Sequence, residues 1–292
     1  MGHDPHPPAE ALTCLGDRLG GPISARLVSD RRGSRAWKVR GPRGAAAVKA
    51  NAPGGGERDK AAETAQEDRH LRALTAAGAV GAGYRLGGGT WDAGQWLAVE
   101  WVEGALLWHA LAPAREADGD TPALRALLLT VARTWAAALS GLHEAGWAHA
   151  DVQPTNTLIT GTGTATVIDY ALACGPADPL RLPYRGALVH TLAPEVAGRL
   201  LATADDHHVQ AAPPSDVWGL GASLFWCWTG RRPIRYESDA PFNDKLGRIA
   251  SGDALDLAAE RPWSFPEFEE IITACLTTNP ALRPSARALA IG

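Results

Sequence analysis

The chain has 292 residues, 46% of them apolar and 21% charged, with a formal net charge of −4. This describes a folded chain of one large or two modest domains with a full core, and excludes intrinsic disorder. With no dense basic run, nucleic acid is not expected as a partner.

In chain order, the opening MGHDPHPPAE lacks the apolar core of a secretory signal, and residues 1–18 are expected to form a flexible tail. Three strand-like runs follow, ISARLVS (23–29), RAWKVR (35–40) and AAAVKA (45–50). The turn-like connectors DRRG and GPRG make them a meander of hairpins. After the loop NAPGGG, residues 57–78 read as a helix stopped by Gly78, and QWLAVEWV (95–102) as a buried strand. APAREADGDTP (112–122) is a polar loop. From Ala123 to Ala145 the apolar residues Leu124, Leu127, Leu128, Val131, Trp135, Leu139 and Leu142 recur at helical spacing. TLIT and ATVIDYA form a short hairpin about GTGT. Residues 202–214 read as an exposed insertion, whose adjacent Asp205, Asp206, His207 and His208 are poorly spaced to chelate one metal. Helices are expected over 216–229, 242–250, 266–276 and 284–290. The most apolar run, 217–228, is too short to span a bilayer, so no membrane association is expected. Cys14, Cys174, Cys227 and Cys275 form no CxxC pair, which predicts reduced thiols in a cytoplasmic protein.

The stretch WAHADVQPTNTLIT (147–160) places His149, Asp151 and Asn156 between a helix and a strand. A carboxylate and an amide on one tight loop suit a metal-bound phosphate, and equally suit turn capping. Other residues give the loop a context. Lys49 ends a strand in AVKA, and Glu67 lies on the next helix with Leu71 and Leu74 four and seven residues on. Asp169 ends TVIDY, and LAPE (192–195), DVWGLGASL (216–224) and NPALRPSARAL (279–289) follow.

This series resembles the eukaryotic-type (Hanks-type) protein kinase superfamily, in a divergent bacterial form, over about residues 20–290. The family's Val-Ala-Ile-Lys strand is here Ala47-Val48-Lys49, and its His-Arg-Asp with a later Asn is His149-Ala150-Asp151 with Asn156. Its Asp-Phe-Gly is Asp169-Tyr170-Ala171, its Ala-Pro-Glu is Ala193-Pro194-Glu195, and its central-helix Asp and late Arg are Asp216 and Arg283. The resemblance implies an α+β, two-lobe kinase domain over residues 19–292. A small β-sheet N-lobe with one main helix would span about 19–99, a hinge about 100–104, and a larger, mostly helical C-lobe about 105–292. It also implies ATP and Mg²⁺ as cofactors. Lys49 would hold the α- and β-phosphates and Glu67, rather than Glu63, would orient it. Asn156 and Asp169 would bind Mg²⁺, and Asp151 would accept the proton of the incoming hydroxyl. Leu71, Tyr170 and His149 would stack in one apolar column. Glu100 to Val102 would offer backbone groups to adenine, with Val28 and Ala47 on its upper face.

The pattern breaks in three places. The phosphate-covering loop is either LGGPIS (19–24) or SDRRGSRAW (29–37). The second leaves three strands joined by short turns and is preferred, with the amides of Gly33 and Ser34 facing phosphate. Ala150 replaces the Arg that receives an activation-loop phosphate, so activity is expected not to need phosphorylation there. Gln153 replaces the Lys beside the γ-phosphate, and Leu188 the Thr that bonds that Lys and the catalytic Asp. The expected function is transfer of the γ-phosphoryl group of ATP to a Ser or Thr hydroxyl of a protein or peptide. Alternatives are a dedicated precursor-peptide kinase of natural-product biosynthesis, a small-molecule phosphotransferase and a non-catalytic pseudokinase. Oligomeric state is not legible.

Overall fold

The computed structural model describes residues 6–31, 33–51, 60–92, 94–176 and 181–292. Two compact units divide the chain: Met1–Trp101 with Pro179–Leu182, and Val102–Asp178 with Pro183–Gly292.

The first unit is built on an antiparallel five-stranded sheet in the order β1-β2-β3-β5-β4. Its strands are β1 (Ser24–Arg31), β2 (Ser34–Gly41), β3 (Gly44–Asn51), β4 (Arg85–Trp91) and β5 (Gly94–Glu100). The β1–β2 turn is tight because Arg31 pairs with Ser34 and Gly33 takes φ +77, a left-handed value that glycine adopts without strain. Residues 19–24 instead join a helix to β1, so of the two candidate phosphate loops only 29–37 is a hairpin.

That helix is a correction to the expected tail. From Ala9 to Leu19 the chain forms α1, with Glu10 in its first turn and Gly20 at its end. Ala11, Leu15 and Leu19 recur every four residues, so they make one stripe. The stripe is buried against Trp37, Val39, Ala46, Val48, Ala50, Trp96 and Ala98 of the sheet. Without α1 that apolar face would meet water. Of the helix expected over 57–78, residues 57–59 lie outside the described residues, and α2 spans Lys60–Ala76. It packs on β5, with Leu71 and Leu74 fully buried.

The second unit opens with β6 (Ala105–Leu106) and α3 (Leu107–Ala110). Its long helix α4 (Pro122–Glu144) is capped by the Thr121 side chain on the Leu124 N–H. By length and composition α4 would span a bilayer. Here its stripe of Leu128, Val131, Trp135, Leu139 and Leu142 is buried in the unit, where α4 packs against the strand Ala165–Val167 and the helices Pro213–Thr229 and Ala286–Ile291. The small sheet β6-β7-β8 adds β7 (Thr157–Ile159) and β8 (Ala165–Val167). The remaining helices are α5 (Pro194–Ala202), α6 (Pro213–Thr229), α7 (Phe242–Ser251), α8 (Leu257–Glu260), α9 (Pro266–Cys275) and α10 (Ala286–Ile291). α6 is apolar almost all round and accordingly buried. Two expectations change. The polar loop 112–122 contains a short 3₁₀ turn, Ala112–Arg115. The exposed insertion 202–214 is anchored, because Val209 and Ala211 enter the core that also holds Trp218.

If α1 belongs to the core, Leu15→Ala costs the first unit about 2–4 kcal/mol, while exposed Thr13→Ala stays within about 0.5 kcal/mol. Urea unfolding of the two variants decides this, and equal midpoints would return α1 to the status of a tail.

Candidate active site

In the first unit, alternation along β3 sends Ala46, Val48 and Ala50 into the α1 core and leaves Ala47 and Lys49 on the other face. Lys49 Nζ lies 2.9 Å from Glu67 Oε1 and 3.0 Å from Oε2. Glu67 is 4% exposed, held there because Leu71 and Leu74 bury the same side of α2. The rival Glu63 pairs with Lys60 instead, at 2.5 Å. Gly33 and Ser34 form the β1–β2 turn and the start of β2. Val28 occupies a bulge where the register jumps from Leu27 to Ser29, and its side chain is about half exposed. Glu100 closes β5 opposite Ala46, its N–H donating to the Tyr84 carbonyl. Val102 is the first residue of the second unit and half-buried.

In the second unit one carboxylate organises the loop 148–156. Asp216, in the first turn of α6 and 1% exposed, accepts the N–H of His149 on Oδ2 (2.7 Å) and that of Ala150 on Oδ1 (2.8 Å). His143 Nε2 lies 2.9 Å from Oδ2. Ala150 takes φ +63, a left-handed conformation unfavourable for alanine, and its carbonyl accepts the buried Tyr184 hydroxyl at 2.9 Å. His149 is fully buried and edge-on to Tyr170, with ring centroids 5.2 Å apart. Its Nδ1 accepts the Asp151 N–H at 3.3 Å and its Nε2 faces the Ile168 carbonyl at 3.2 Å. Those two partners suit one neutral tautomer, protonated on Nε2. His149 is therefore a strut rather than a base.

The strut and the cap present Asp151. Its Oδ1 accepts Gln153 Nε2 at 2.5 Å and its Oδ2 accepts Asn156 Nδ2 at 2.6 Å, while the Leu188 backbone N–H faces the same carboxylate as a weaker influence. Burial and then the charge of Asp169 push its pKa up to about 7, against the pull of these three donors. Gln153 is itself fixed by the Thr155 hydroxyl on its Oε1 at 2.8 Å. Asn156 Nδ2 also donates to the Asp151 carbonyl at 3.1 Å, which orients the amide and leaves Oδ1 with no hydrogen bond among the described residues. Asp169 follows β8 with φ +69. The second unit thus brings Asp151, Gln153, Asn156 and Asp169 together, and the first brings together Lys49 and Glu67.

A divalent cation fits this donor set. An amide oxygen and a carboxylate are hard ligands, and Mg²⁺ takes one or two such protein groups beside phosphate and water. No group of three or more His, Cys, Asp or Glu able to hold a metal occurs among the described residues, so an all-protein cage is not what the donors offer.

The segment after the loop is pinned by its own side chains. The Tyr184 N–H donates to His208 Nδ1 and the Val209 N–H to the Tyr184 carbonyl. Arg185 donates to the carbonyls of Leu200 and Thr203, which closes the end of α5. Glu195 receives Arg283 in a two-pronged pair, 2.8 Å on each prong. Arg283, its side chain 0% exposed, spends its other donors on the carbonyls of Thr277, Thr278 and Pro214, so every guanidinium N–H has a partner.

A family model for the protein kinase domain matches residues 92–290. The chain belongs to the protein kinase family. Over 194 residues this kinase domain is 29% identical to the probable serine/threonine-protein kinase PkwA of Thermomonospora curvata, covering 66% of the chain and 23% of that protein. It is 31% identical over 183 residues to serine/threonine-protein kinase PknD of Mycobacterium tuberculosis, covering 56% and 25%. It is 29% identical over 191 residues to serine/threonine-protein kinases drp72 of Corynebacterium efficiens, covering 64% and 32%. The chain spans about a quarter of the length of the curated relatives it matches first. The family match begins after Lys49 and Glu67, so within the kinase domain that pair rests on its geometry alone.

Sequence reasoning passed over three contributors. Leu188 acts through a backbone N–H, which leaves no side-chain signature. Tyr184 reads as one more loop aromatic, and Thr155 as an ordinary turn residue. Only the loss of the usual Lys and Thr at Gln153 and Leu188 hinted that Asp151 needed other donors.

Asp216→Asn swaps an acceptor oxygen for an amide NH₂ that faces an N–H donor. It lowers the stability of the second unit by about 2–4 kcal/mol, and activity falls with it. Denaturant unfolding followed by tryptophan fluorescence measures the loss.

Proposed function

We propose that this kinase domain transfers the γ-phosphoryl group of ATP, with Mg²⁺, to a Ser or Thr hydroxyl of a protein or peptide. The observation that carries this reading is the Asp151 carboxylate, held by Gln153 and Asn156 beside Asp169. Phosphoryl transfer asks a protein mainly for positioning and charge neutralisation, and the described groups divide those tasks. Lys49, oriented by Glu67, holds the α- and β-phosphates. Asn156 Oδ1 and Asp169 hold the cation. Bound Mg²⁺ would supply neutralisation of phosphate charge. Asp151 accepts the hydroxyl proton, and Gln153 keeps its carboxylate turned while offering a neutral amide where a Lys is usual. Gly33 and Ser34 cover phosphate. Val28, Ala47, Glu100 and Val102 surround the base, the last two through backbone groups. The names of the relatives support serine and threonine as acceptors.

Labelled γ-phosphate ATP, Mg²⁺ and a mixed casein acceptor test this directly. Label is expected on Ser and Thr, and Asp151→Asn reduces the rate by about 10²–10⁴-fold. ATP at about 100 times its Kd stabilises the protein by about 2.7 kcal/mol, and Asn156→Ala removes the Mg²⁺-dependent part of that shift. Label equal in wild type and Asp151→Asn would refute the assignment.

The segment 181–193 is pinned through Tyr184 and Arg185, and Ala150 has no charge to receive a phosphate. Phosphatase treatment therefore leaves the rate unchanged. A severalfold drop would show that a phosphate does the pinning.

A further inference from the structure

Away from the residues assigned above, two cations of the second unit share one serine. Arg232 Nη2 donates to the Ser238 hydroxyl at 3.3 Å and Lys245 Nζ to the Ser238 carbonyl at 2.7 Å. Both side chains are half-buried. Neither forms an ion pair with a carboxylate among the described residues, although Glu237, Asp239 and Asp244 are close in sequence. Partly desolvated like charges without a counter-ion repel, and an anion seated between them relieves both.

The niche also has an aromatic wall. Arg232 lies over the Tyr236 ring at 5.1 Å, and Tyr236 stacks on His190 with centroids 5.9 Å apart and shares a hydrogen bond with its Nδ1. His190 in turn meets Trp226 edge-on at 5.0 Å. Burial, and then the charges of Arg232 and Lys245, push the His190 pKa down to about 4, so His190 is neutral at physiological pH. The positive charge of the niche is therefore that of the two cations, and the wall suits the methylene stem of a long side chain.

Its position along the chain ties it to the acceptor. His190 is two residues beyond Leu188, whose backbone N–H faces the Asp151 carboxylate. Val189–Thr191 is a 3₁₀ turn, a form that rises about 2 Å per residue. An extended peptide advances about 3.3 Å per residue, so a side chain one to three residues from the reacting hydroxyl spans that interval.

We propose that the niche formed by Arg232, Lys245, Tyr236 and His190 binds an Asp or Glu side chain of the acceptor, one to three residues from the phosphorylated hydroxyl, so that the domain selects acidic peptides. This rests on the phosphotransfer reading above.

The test uses peptides with one central Ser in an Ala/Gly background, carrying Glu, Gln or Lys at each of three positions on either side, and reads kcat/KM for label transfer. Glu is expected to exceed Gln by about tenfold at one or two positions. Arg232→Gln/Lys245→Gln abolishes the preference, and Arg232→Glu/Lys245→Glu turns it toward Lys, while the ATP KM stays at its wild-type value. The Gln pair removes like-charge repulsion and keeps the fold, which an unchanged Tm verifies. Equal rates with Glu, Gln and Lys overturn the niche and leave phosphotransfer standing. No transfer to any peptide or to casein removes the phosphotransfer reading and the niche with it.

Discussion

The buried carboxylate of Asp216 holds a loop whose own sequence would not keep that shape. Ala150 is not glycine, and a left-handed alanine costs about 1–2 kcal/mol. Two N–H groups in succession, those of His149 and Ala150, converge on the carboxylate, and His143 fills its remaining side. The reversal at Ala150 aims the next side chain, Asp151, away from the core while His149 stays inside it. Helix α6 is apolar almost all round, so Asp216 sits where an unpaired charge would be intolerable. Its three partners are therefore as necessary to the helix as it is to the loop.

What the loop presents is an electrostatic conflict. Asp151 and Asp169 are close enough for one charge to raise the pKa of the other. The groups that act against that repulsion are neutral: amides from Gln153 and Asn156 and, more weakly, the Leu188 N–H. The loop itself thus supplies geometry without positive charge. The oxygens of Asn156 and Asp169 are hard donors, the kind a divalent cation beside phosphate takes.

Much of this was legible from residue spacing. Glu67, Leu71 and Leu74 mark one face of α2, and the burial of the two leucines decides that Glu67 rather than Glu63 meets Lys49. The hairpin 29–37 followed from turn chemistry at Gly33. Helix α1 was hidden because its apolar stripe, Ala11, Leu15 and Leu19 with Leu12 and Cys14 beside it, is short, and the His- and Pro-rich stretch before it reads as solvent-exposed. Val209 and Ala211 were hidden for a related reason: single apolar residues in a polar string have no period. The Tyr184 hydroxyl that meets the Ala150 carbonyl, and the Leu188 N–H that faces Asp151, have no pattern at all. A backbone group belongs to every residue, and a hydroxyl acquires a role only once folding sets its partner.

The exchange at Ala150 shows how such a partner arises. An Arg there would reach outward for an anion on the following segment. Alanine cannot reach, but its carbonyl remains, turned by the left-handed backbone toward a ring that folding has buried. Tyr184 meets that carbonyl at 2.9 Å. Burial holds its pKa well above the usual phenol value, so it stays a donor at neutral pH. On either side of the ring the backbone is tied to residues 208 and 209, and Arg185 ties the next position to the end of α5. An ionic contact that would depend on a modification is thus replaced by a neutral hydrogen bond inside the core. Such a bond is weaker in isolation but needs no counter-charge, and it is made by the same event that buries the ring. The segment that runs on to Leu188, whose N–H faces Asp151, is positioned as part of folding.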